Sequence, residues 1–238
     1  AAPPDLGFVG AGGVAVGFVL HIDSGFAADR ALALGLARIC GIGLPWNFDR
    51  PYRSASPTEF WRRWHVTLST WLRDYLYIPL GGNRKGSQRR DLNLLATMGL
   101  GGLWHGASLN FVAWGISHGF MLVGTHHGRQ RGWSLPRPVA VAVTFTLVTL
   151  SWVLFRMRSA GGIGHVYAGM FGLHGVGQVP GHLLAYVAIS AALVWGLPEE
   201  WRWPVARWNA VGVALAAVLF AIAASSVYAS HPFIYFRF

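Results

Sequence analysis

Two histidines are the residues of this chain most able to do chemistry. His105 lies in "GGLWHGAS", residues 101–108, between a tryptophan and a glycine inside a long apolar run. An ionisable residue is costly in such surroundings and by default marks a function or a paired interior. His65 ends the stretch "FWRRWH", four residues after Trp61. Because imidazole titrates near neutral pH, either ring suits a general base that deprotonates a hydroxyl.

The residues alone leave other interpretations of these histidines open. Each could equally be a packed side chain bonded to a backbone carbonyl. We predict no metal site, because no histidine pair has the three- or four-residue spacing of helical metal sites. Haem ligation by His105 and His118 would need a broken helix, since a continuous one would separate the two rings by roughly 20 Å. A haem-binding electron carrier is therefore the weakest alternative.

The composition indicates that a membrane surrounds these residues. Of 238 residues, 53% are hydrophobic and only 12% are charged, against about 25% charged in soluble domains. Twelve tryptophans and 31 glycines fit interfacial aromatic belts and closely packed membrane helices. The net charge of +10 indicates basic loops that face anionic lipid or the cytoplasm. The sequence thus predicts an integral membrane protein with no nucleic-acid partner.

The apolar runs predict the membrane spans. Spanning a bilayer takes about 20 mostly apolar residues. The stretches that meet this requirement are residues 6–22, 92–123, 138–155, 182–197 and 210–230. The run 92–123 is too long for one span, and its "GLGG" and two histidines predict a broken or strongly tilted helix pair. The shorter run 31–44 suits a half-span or a buried helix. We predict an all-α, multi-pass transmembrane helical protein of five or six spans.

Residues 45–91 predict a different kind of element. Ser56 as N-cap, Pro57 at the first helical position and Glu59 form a helix-start signature with a capping box. The residues that then recur every three or four positions, on one helix face, are Trp61, Trp64, Leu68, Trp71 and Tyr75. Pro79 ends this helix before a "GGN" turn. We predict one amphipathic helix, interfacial or re-entrant, that does not span the bilayer.

Three stretches of sequence carry a family resemblance. They are "NFDRPYRSASPTEFWRRWHVTLSTWLRDYLYIPLGGNRKG", the following "NLLATMGLGGLWHGASLNFVAWGISHG" and the closing "HPFIYFRF". They resemble the membrane-bound O-acyltransferase family, in the bacterial branch that acts on alginate and teichoic acid. The resemblance is dense over about residues 44–119. It implies that residues 1–238 correspond to the C-terminal half of such a transmembrane domain, truncated at its N-terminus, with the motif core at 44–119 and further spans over 138–230.

The resemblance also implies roles for individual residues. His105 corresponds to the family's catalytic histidine, and His65 occupies the position of a second polar active-site residue. The family fold has a tunnel across the bilayer, in which an acyl donor from one side meets a hydroxyl from the other. The oxyanion that forms needs a hydrogen-bond donor, which could be His65, Asn110 or a backbone amide near the glycines. The candidate substrate-binding residues are Trp64, Trp104, Asn110 and His118.

The function implied by the resemblance is O-acyl transfer. An acetyl group would move from a thioester, either acetyl-CoA or a carrier thioester, to hydroxyls of an exported, alginate-like polysaccharide, with no bound cofactor. The expected partners are the lipid bilayer, the polysaccharide and periplasmic acetylation proteins, at the bacterial inner membrane. A non-catalytic scaffold that recruits such proteins is the alternative. His126 and His127, in a Gly- and Arg-containing stretch that predicts a loop, are expected to contribute little.

Overall fold

The computed structural model describes residues 7–157, 159–177, 181–196 and the single residue 218. Within these ranges the chain forms helices, turns and loops and no β-strand, which confirms the all-α fold. The helices are α1 (Phe8–Ile39), α2 (Pro57–Arg63), α3 (Val66–Leu72), α4 (Gly86–Trp104), α5 (Leu109–Gln130), α6 (Arg137–Arg156), α7 (Ala160–Met170) and α8 (Gly181–Ala191). Apart from residue 218, the predicted span 210–230 and the closing eight residues lie outside the described part.

One helix of the described part is long and apolar enough to cross a membrane. It is α6, whose 20 residues reach a mean hydropathy of 2.0 and coincide with the predicted span 138–155. Shorter apolar helices cover Phe8–Asp23 and Leu183–Gly196, where the sequence predicted spans at 6–22 and 182–197. The described residues therefore hold one clear candidate span, and the multi-pass count of five or six stays a prediction.

Residues 31–44 do not form a separate half-span or buried helix, so that expectation is wrong. Helix α1 runs without a break from Phe8 to Ile39. The polar residues near His21 interrupt the apolar pattern but do not end the helix. No proline lies between Phe8 and Ile39, and polarity alone does not break the backbone hydrogen bonds of a helix.

The run 92–123 is a broken helix pair, as the sequence predicted. Helix α4 ends at Trp104 and α5 begins at Leu109, with the chain reversing over residues 105–108. The two helices pack closely because Gly102 and Gly115 carry no side chain where they meet. A Cβ on Gly102 would collide with the Phe111 carbonyl oxygen of α5. A Cβ on Gly115 would collide with the Met98 carbonyl oxygen of α4. These glycines are what allow the hairpin to close.

The predicted helix start at Ser56 is confirmed. The Ser56 hydroxyl accepts a hydrogen bond from the Glu59 N–H at 3.2 Å, and Pro57 is the first helical residue. The Glu59 carboxylate reaches back to the N–H of Ala55 at 2.9 Å, one residue before the N-cap that a capping box would use. Local sequence thus fixes where α2 begins.

The single amphipathic helix predicted to run up to Pro79 is wrong. Helix α2 ends at Arg63, and after a break at residues 64–65 the chain continues as α3 and a wider helical turn, Arg73–Tyr77. The break divides the predicted aromatic face. Trp61 and Trp64 are buried in the core, whereas Trp71 and Tyr75 are 52% and 69% exposed and stack on each other at 5.6 Å.

The core where the helices meet is rich in aromatic residues. Its buried members are Val19, Ile22, Phe48, Tyr52, Phe60, Trp61, Trp64, Met98, Trp114, Leu122, Val148 and Trp152. The Trp152 ring of α6 lies 5.4 Å from Trp64 and 5.5 Å from Trp114, between centroids. Helices α5 and α6 and the segment after α2 are therefore joined through stacked and edge-on rings, and this cluster supports the candidate site.

Candidate active site

His105 directly follows α4 and is surrounded by aromatic rings. The centroids of Trp104, Trp114 and Phe155 lie 5.0, 5.3 and 5.2 Å from that of the imidazole, each ring nearly perpendicular to it. The side chain is half-buried. Among the described residues, no group is hydrogen-bonded to its ring nitrogens. The imidazole is thus held by apolar contacts from α4, α5 and α6, with its nitrogens available to a ligand.

His65 lies at the break between α2 and α3 in a left-handed backbone conformation, with φ of 43°. Residues other than glycine rarely adopt this region, and strain of this kind persists only where the surroundings enforce it. Here the loop before α2 enforces it. The Asn47 carbonyl accepts a hydrogen bond from the Val66 N–H at 2.9 Å, and the Asn47 side chain accepts one from the Thr67 N–H at 2.9 Å.

The imidazole of His65 is partly buried against an aromatic side chain. It lies against Phe48, 5.5 Å between centroids, and its buried Nδ1 has no hydrogen-bond partner among the described residues. Burial lowers the pKa of His65, which keeps the ring neutral at pH 7. It is close enough to His105 for the two rings to interact electrostatically. The two histidines thus share one region, and their lining of a common cavity stays a prediction.

His118, predicted to bind substrate, is a fully buried core residue in this structure. Its exposed fraction is 0%, and both ring nitrogens have partners. The Trp61 indole N–H donates to Nδ1 at 3.3 Å, and Nε2 lies 2.9 Å from the Ser151 hydroxyl. Since that hydroxyl donates to the Val148 carbonyl at 2.7 Å, Nε2 carries the proton and donates to Ser151. His118 therefore has no nitrogen free for substrate or for haem iron.

The other three predicted binding residues have different surroundings. Trp64 is 4% exposed and belongs to the aromatic core, stacked on Phe60 at 5.6 Å. Trp104 is 59% exposed beside His105, so it borders the site from outside. The Asn110 amide donates a 2.7 Å hydrogen bond to the Met157 carbonyl, which ties α5 to the end of α6. Of the three, Trp104 is the most exposed and Trp64 the most deeply buried.

The sequence of the site matches a known family. Residues 16–129 match the model of MBOAT, the membrane-bound O-acyltransferase family. This range includes both His65 and His105. The chain belongs to this family.

The names of three similar proteins specify three different polymers. A Pseudomonas fluorescens protein named "Probable alginate O-acetylase" is 46% identical over 169 residues, covering 71% of this chain and 34% of the relative. A Helicobacter pylori "Peptidoglycan O-acetyltransferase" is 40% identical over 163 residues, 67% of this chain and 31% of the relative. A Streptococcus thermophilus "Teichoic acid D-alanyltransferase" is 32% identical over 163 residues, with shares of 58% and 39%. The aligned part of the chain spans about a third of the length of these curated relatives.

Sequence reasoning missed the residues of α6 that complete the site of this family member. Phe155 packs on His105, and Ser151 bonds His118, yet both were assigned only to a span. The signal was present in "LSWVLF", residues 150–155, where a hydroxyl and two aromatic residues interrupt an aliphatic run. A polar residue in an apolar helix usually faces another helix. That rule would have identified the inner face of α6.

The prediction that His126 and His127 lie in a loop is wrong. Helix α5 continues to Gln130, and the glycines within it do not stop it. The His127 Nε2 lies 2.7 Å from the Asp91 carboxylate of α4. No group of three or more His, Cys, Asp or Glu side chains in the described ranges is arranged to hold a metal ion.

Proposed function

We propose that this chain forms part of a membrane O-acyltransferase that moves an acetyl group from a thioester to hydroxyls of an exported, alginate-like polysaccharide. The observation that carries the proposal is the pairing of His105 and His65. Each has a ring nitrogen that no described residue uses, and the two imidazoles are near enough for their protonated forms to repel each other. The names of the relatives support a polymeric acceptor, and two of the three cited specify acetyl.

In this proposal His105 is the general base. Its free nitrogen takes the proton of the acceptor hydroxyl as that oxygen attacks the carbonyl carbon of the thioester. A C–O bond forms, and the carbonyl electron pair moves onto oxygen. When the oxyanion collapses, the C–S bond breaks and the thiolate takes the proton back from His105. The products are an ester and a thiol, and the imidazole is again neutral.

His65 supplies the second polar group at the reacting centre. Its partly buried ring can donate a hydrogen bond to the developing oxyanion, where a donor in a water-poor site has its largest effect. Asn110 is a poorer candidate for this role, because one of its two amide N–H groups is bonded to Met157 and that bond holds the side chain towards the end of α6. The rigid junction at residues 64–66 holds the His65 ring in a fixed direction, which suits a preorganised donor.

The same proposal specifies the membrane location, the acyl donor and the partner proteins. The chain contributes to a multi-pass protein of the bacterial inner membrane, with α2 and α3 at the interface and Trp104 at the substrate entrance. The acyl donor is acetyl-CoA or a carrier thioester, and periplasmic acetylation proteins are the partners. The family's location in membranes, the candidate span α6 and the exposed rings of Trp71 in α3 and Tyr75 in the turn after it support this arrangement.

An acetyl-transfer assay on His105→Ala tests the proposal. The variant is made in the protein as it occurs in its membrane, and transfer of labelled acetyl to the polysaccharide is measured. We expect a loss of roughly 10²–10⁴-fold, the usual contribution of a general base. His127→Ala is the matched control, since it makes the same change far along α5. Near wild-type transfer by His105→Ala, at wild-type membrane level, would contradict the assignment and favour the scaffold alternative.

A further inference from the structure

A cavity of about 310 Å³ lies at the opposite end of the α4–α5 hairpin from His105. Its polar lining comprises Asn83, Ser87, Arg90, His126 and Gln130. These residues come from the turn before α4, the start of α4 and the end of α5. Since α4 has 19 residues, at 1.5 Å per residue the cavity lies roughly 27 Å from His105 along the helix. It is therefore separate from the candidate active site.

The surroundings of this basic cavity are positively charged. Between residues 77 and 131 the chain has six Lys and Arg residues but only one carboxylate, that of Asp91. That carboxylate is already engaged, by Arg90 at 2.8 Å and by His127 at 2.7 Å. Among the described residues that line the cavity, none is acidic. Basic residues therefore outnumber carboxylates in the segments that form the cavity, and such a surplus of positive charge raises the local concentration of anions.

The start of α4 supplies hydrogen-bond donors in the same place. Gly86 and Ser87, its first two residues, line the cavity. The N-cap, Lys85, makes no side-chain capping bond, and the first turn has no acidic residue. The N–H groups of a first helical turn lack partners within the helix, and the helix dipole favours negative charge there. An anion is the ligand that would satisfy these groups.

Arg90 adds an ordered cation to the wall. Its side chain is only 8% exposed, and Nε and Nη2 both bond the Asp91 carboxylate. That pair fixes the guanidinium, and its remaining nitrogen, Nη1, is used by no other described residue. Asn83, Ser87 and Gln130 add neutral donors around it. A fixed guanidinium combined with backbone and amide donors is the chemistry that recognises phosphate.

We propose that the basic cavity binds a phosphate group, brought by the headgroup of an anionic lipid or by a soluble nucleotide. Basic loops that merely face a membrane surface need neither a recess of this size nor several neutral donors around it, and this cavity has both. Its volume matches the lower range of ligand pockets, about 300 Å³, which accommodates a phosphate together with the groups attached to it. The proposal does not depend on acyl transfer, because it involves neither His65 nor His105.

Ser87→Asp is the test variant, and Arg131→Gln is its control. A carboxylate at residue 87 repels phosphate from the cavity, yet it stabilises the start of α4 through the helix dipole, so the protein should fold. Arg131 also lies near the end of α5, but its guanidinium is over the Trp133 ring and does not line the cavity. Both variants shift the net charge in the same direction, and their thermal unfolding midpoints verify folding.

Binding is measured by calorimetry on the purified protein in neutral detergent. The soluble probes are inorganic pyrophosphate and adenosine 3′,5′-bisphosphate, and the lipid probe is short-chain phosphatidylglycerol, with phosphatidylcholine as its uncharged counterpart. We expect Ser87→Asp to weaken binding of whichever probe the wild-type protein binds by about tenfold or more. Arg131→Gln should leave that affinity nearly unchanged.

The pattern of binding identifies the source of the phosphate. Binding of the soluble probes alone supports a nucleotide, and selective binding of phosphatidylglycerol supports a lipid headgroup. The inference is overturned if no probe binds, or if the wild-type protein and Ser87→Asp bind equally. It is also overturned if both variants weaken binding to the same extent, because diffuse charge and not the cavity would then be responsible.

Discussion

At one end of the α4–α5 hairpin, His105 is surrounded by Trp104, Trp114 and Phe155. At the other end, the same two helices form the basic cavity, lined by an arginine, a histidine and neutral donors. The close contact at Gly102 and Gly115 packs the two helices side by side between these ends. The hairpin thus acts as a spacer between two chemically different ends, one aromatic and one basic, and each end is completed by the residues that pack around it.

A similar contrast separates two histidines only 13 residues apart in sequence. The ring of His105 has aromatic contacts but no hydrogen-bonded partner in the described part of the chain, whereas both nitrogens of His118 are bonded. Burial alone does not make a residue catalytic. A histidine whose nitrogens are all satisfied contributes to stability, and one with free nitrogens can exchange protons with a substrate.

The largest expected effect is the loss of acetyl transfer when the aromatic end of the hairpin alone is changed. His105→Ala should lower acetyl transfer by roughly 10²–10⁴-fold while phosphate binding at the basic cavity stays as in the wild type. Both are measured on one preparation, by the transfer assay and by calorimetry. If His105→Ala also removes phosphate binding, the two ends are not independent and the spacer interpretation fails.

His118→Ala should affect stability more than catalysis. The change removes a fully buried ring and leaves the Trp61 N–H and the Ser151 hydroxyl without their partner. We expect the free energy of unfolding to fall by about 3 kcal/mol, measured by thermal unfolding in detergent. If the variant instead unfolds like the wild type but has a raised KM for the polysaccharide, His118 binds substrate as the sequence predicted.

Three substitutions at His65 separate the role of its ring from that of its backbone. His65→Ala should lower transfer by roughly tenfold to a hundredfold, because it removes a hydrogen-bond donor. His65→Asn should retain more activity, since an amide donates and Asn tolerates the left-handed conformation. His65→Gly should relieve strain of about 1 kcal/mol but transfer no better than the alanine variant. Rescue of transfer by glycine would mean that only the backbone conformation matters.

The smallest effect is expected at His127. Its hydrogen bond with Asp91 joins partly exposed side chains, 36% and 19% exposed, and polar pairs this exposed contribute about 0–1 kcal/mol. His127→Ala should therefore shift the unfolding midpoint slightly and leave acetyl transfer near the wild-type rate. A strong loss of acetyl transfer would show that the basic end of the hairpin affects His105. That result would contradict the independence of the two ends.

Much of the fold could be predicted from the sequence because its signals are local. The Ser56 cap acts on Glu59, three residues away, so the pattern of those residues contains the whole interaction. The break between α4 and α5 likewise follows from neighbouring glycines and from a run too long for one span. The membrane class follows from the scarcity of charge, and the family from the dense motif around His65 and His105.

Other features depend on contacts that the local sequence does not contain. The apolar repeat continues through His65, and the helix breaks there because Asn47, from the preceding loop, takes the N–H groups of Val66 and Thr67. The reverse happens near His21, where the apolar pattern stops but α1 continues. At His65, hydrogen bonds from a distant loop outweigh the helix propensity of the local sequence. Near His21, the backbone hydrogen bonds of α1 continue although the apolar pattern stops.

By itself the sequence determined the composition class, the start of α2 at Ser56, the family and the two histidines that carry the proposed chemistry. Only the tertiary structure decided which histidine nitrogens are free. The partners of His118 are 57 and 33 residues distant in the chain, and the basic cavity joins Ser87 to His126 and Gln130 across two helices. The physical reason is that hydrogen-bond saturation and enclosure are properties of side chains brought together from distant positions, whereas caps and helix breaks act within a few residues of chain.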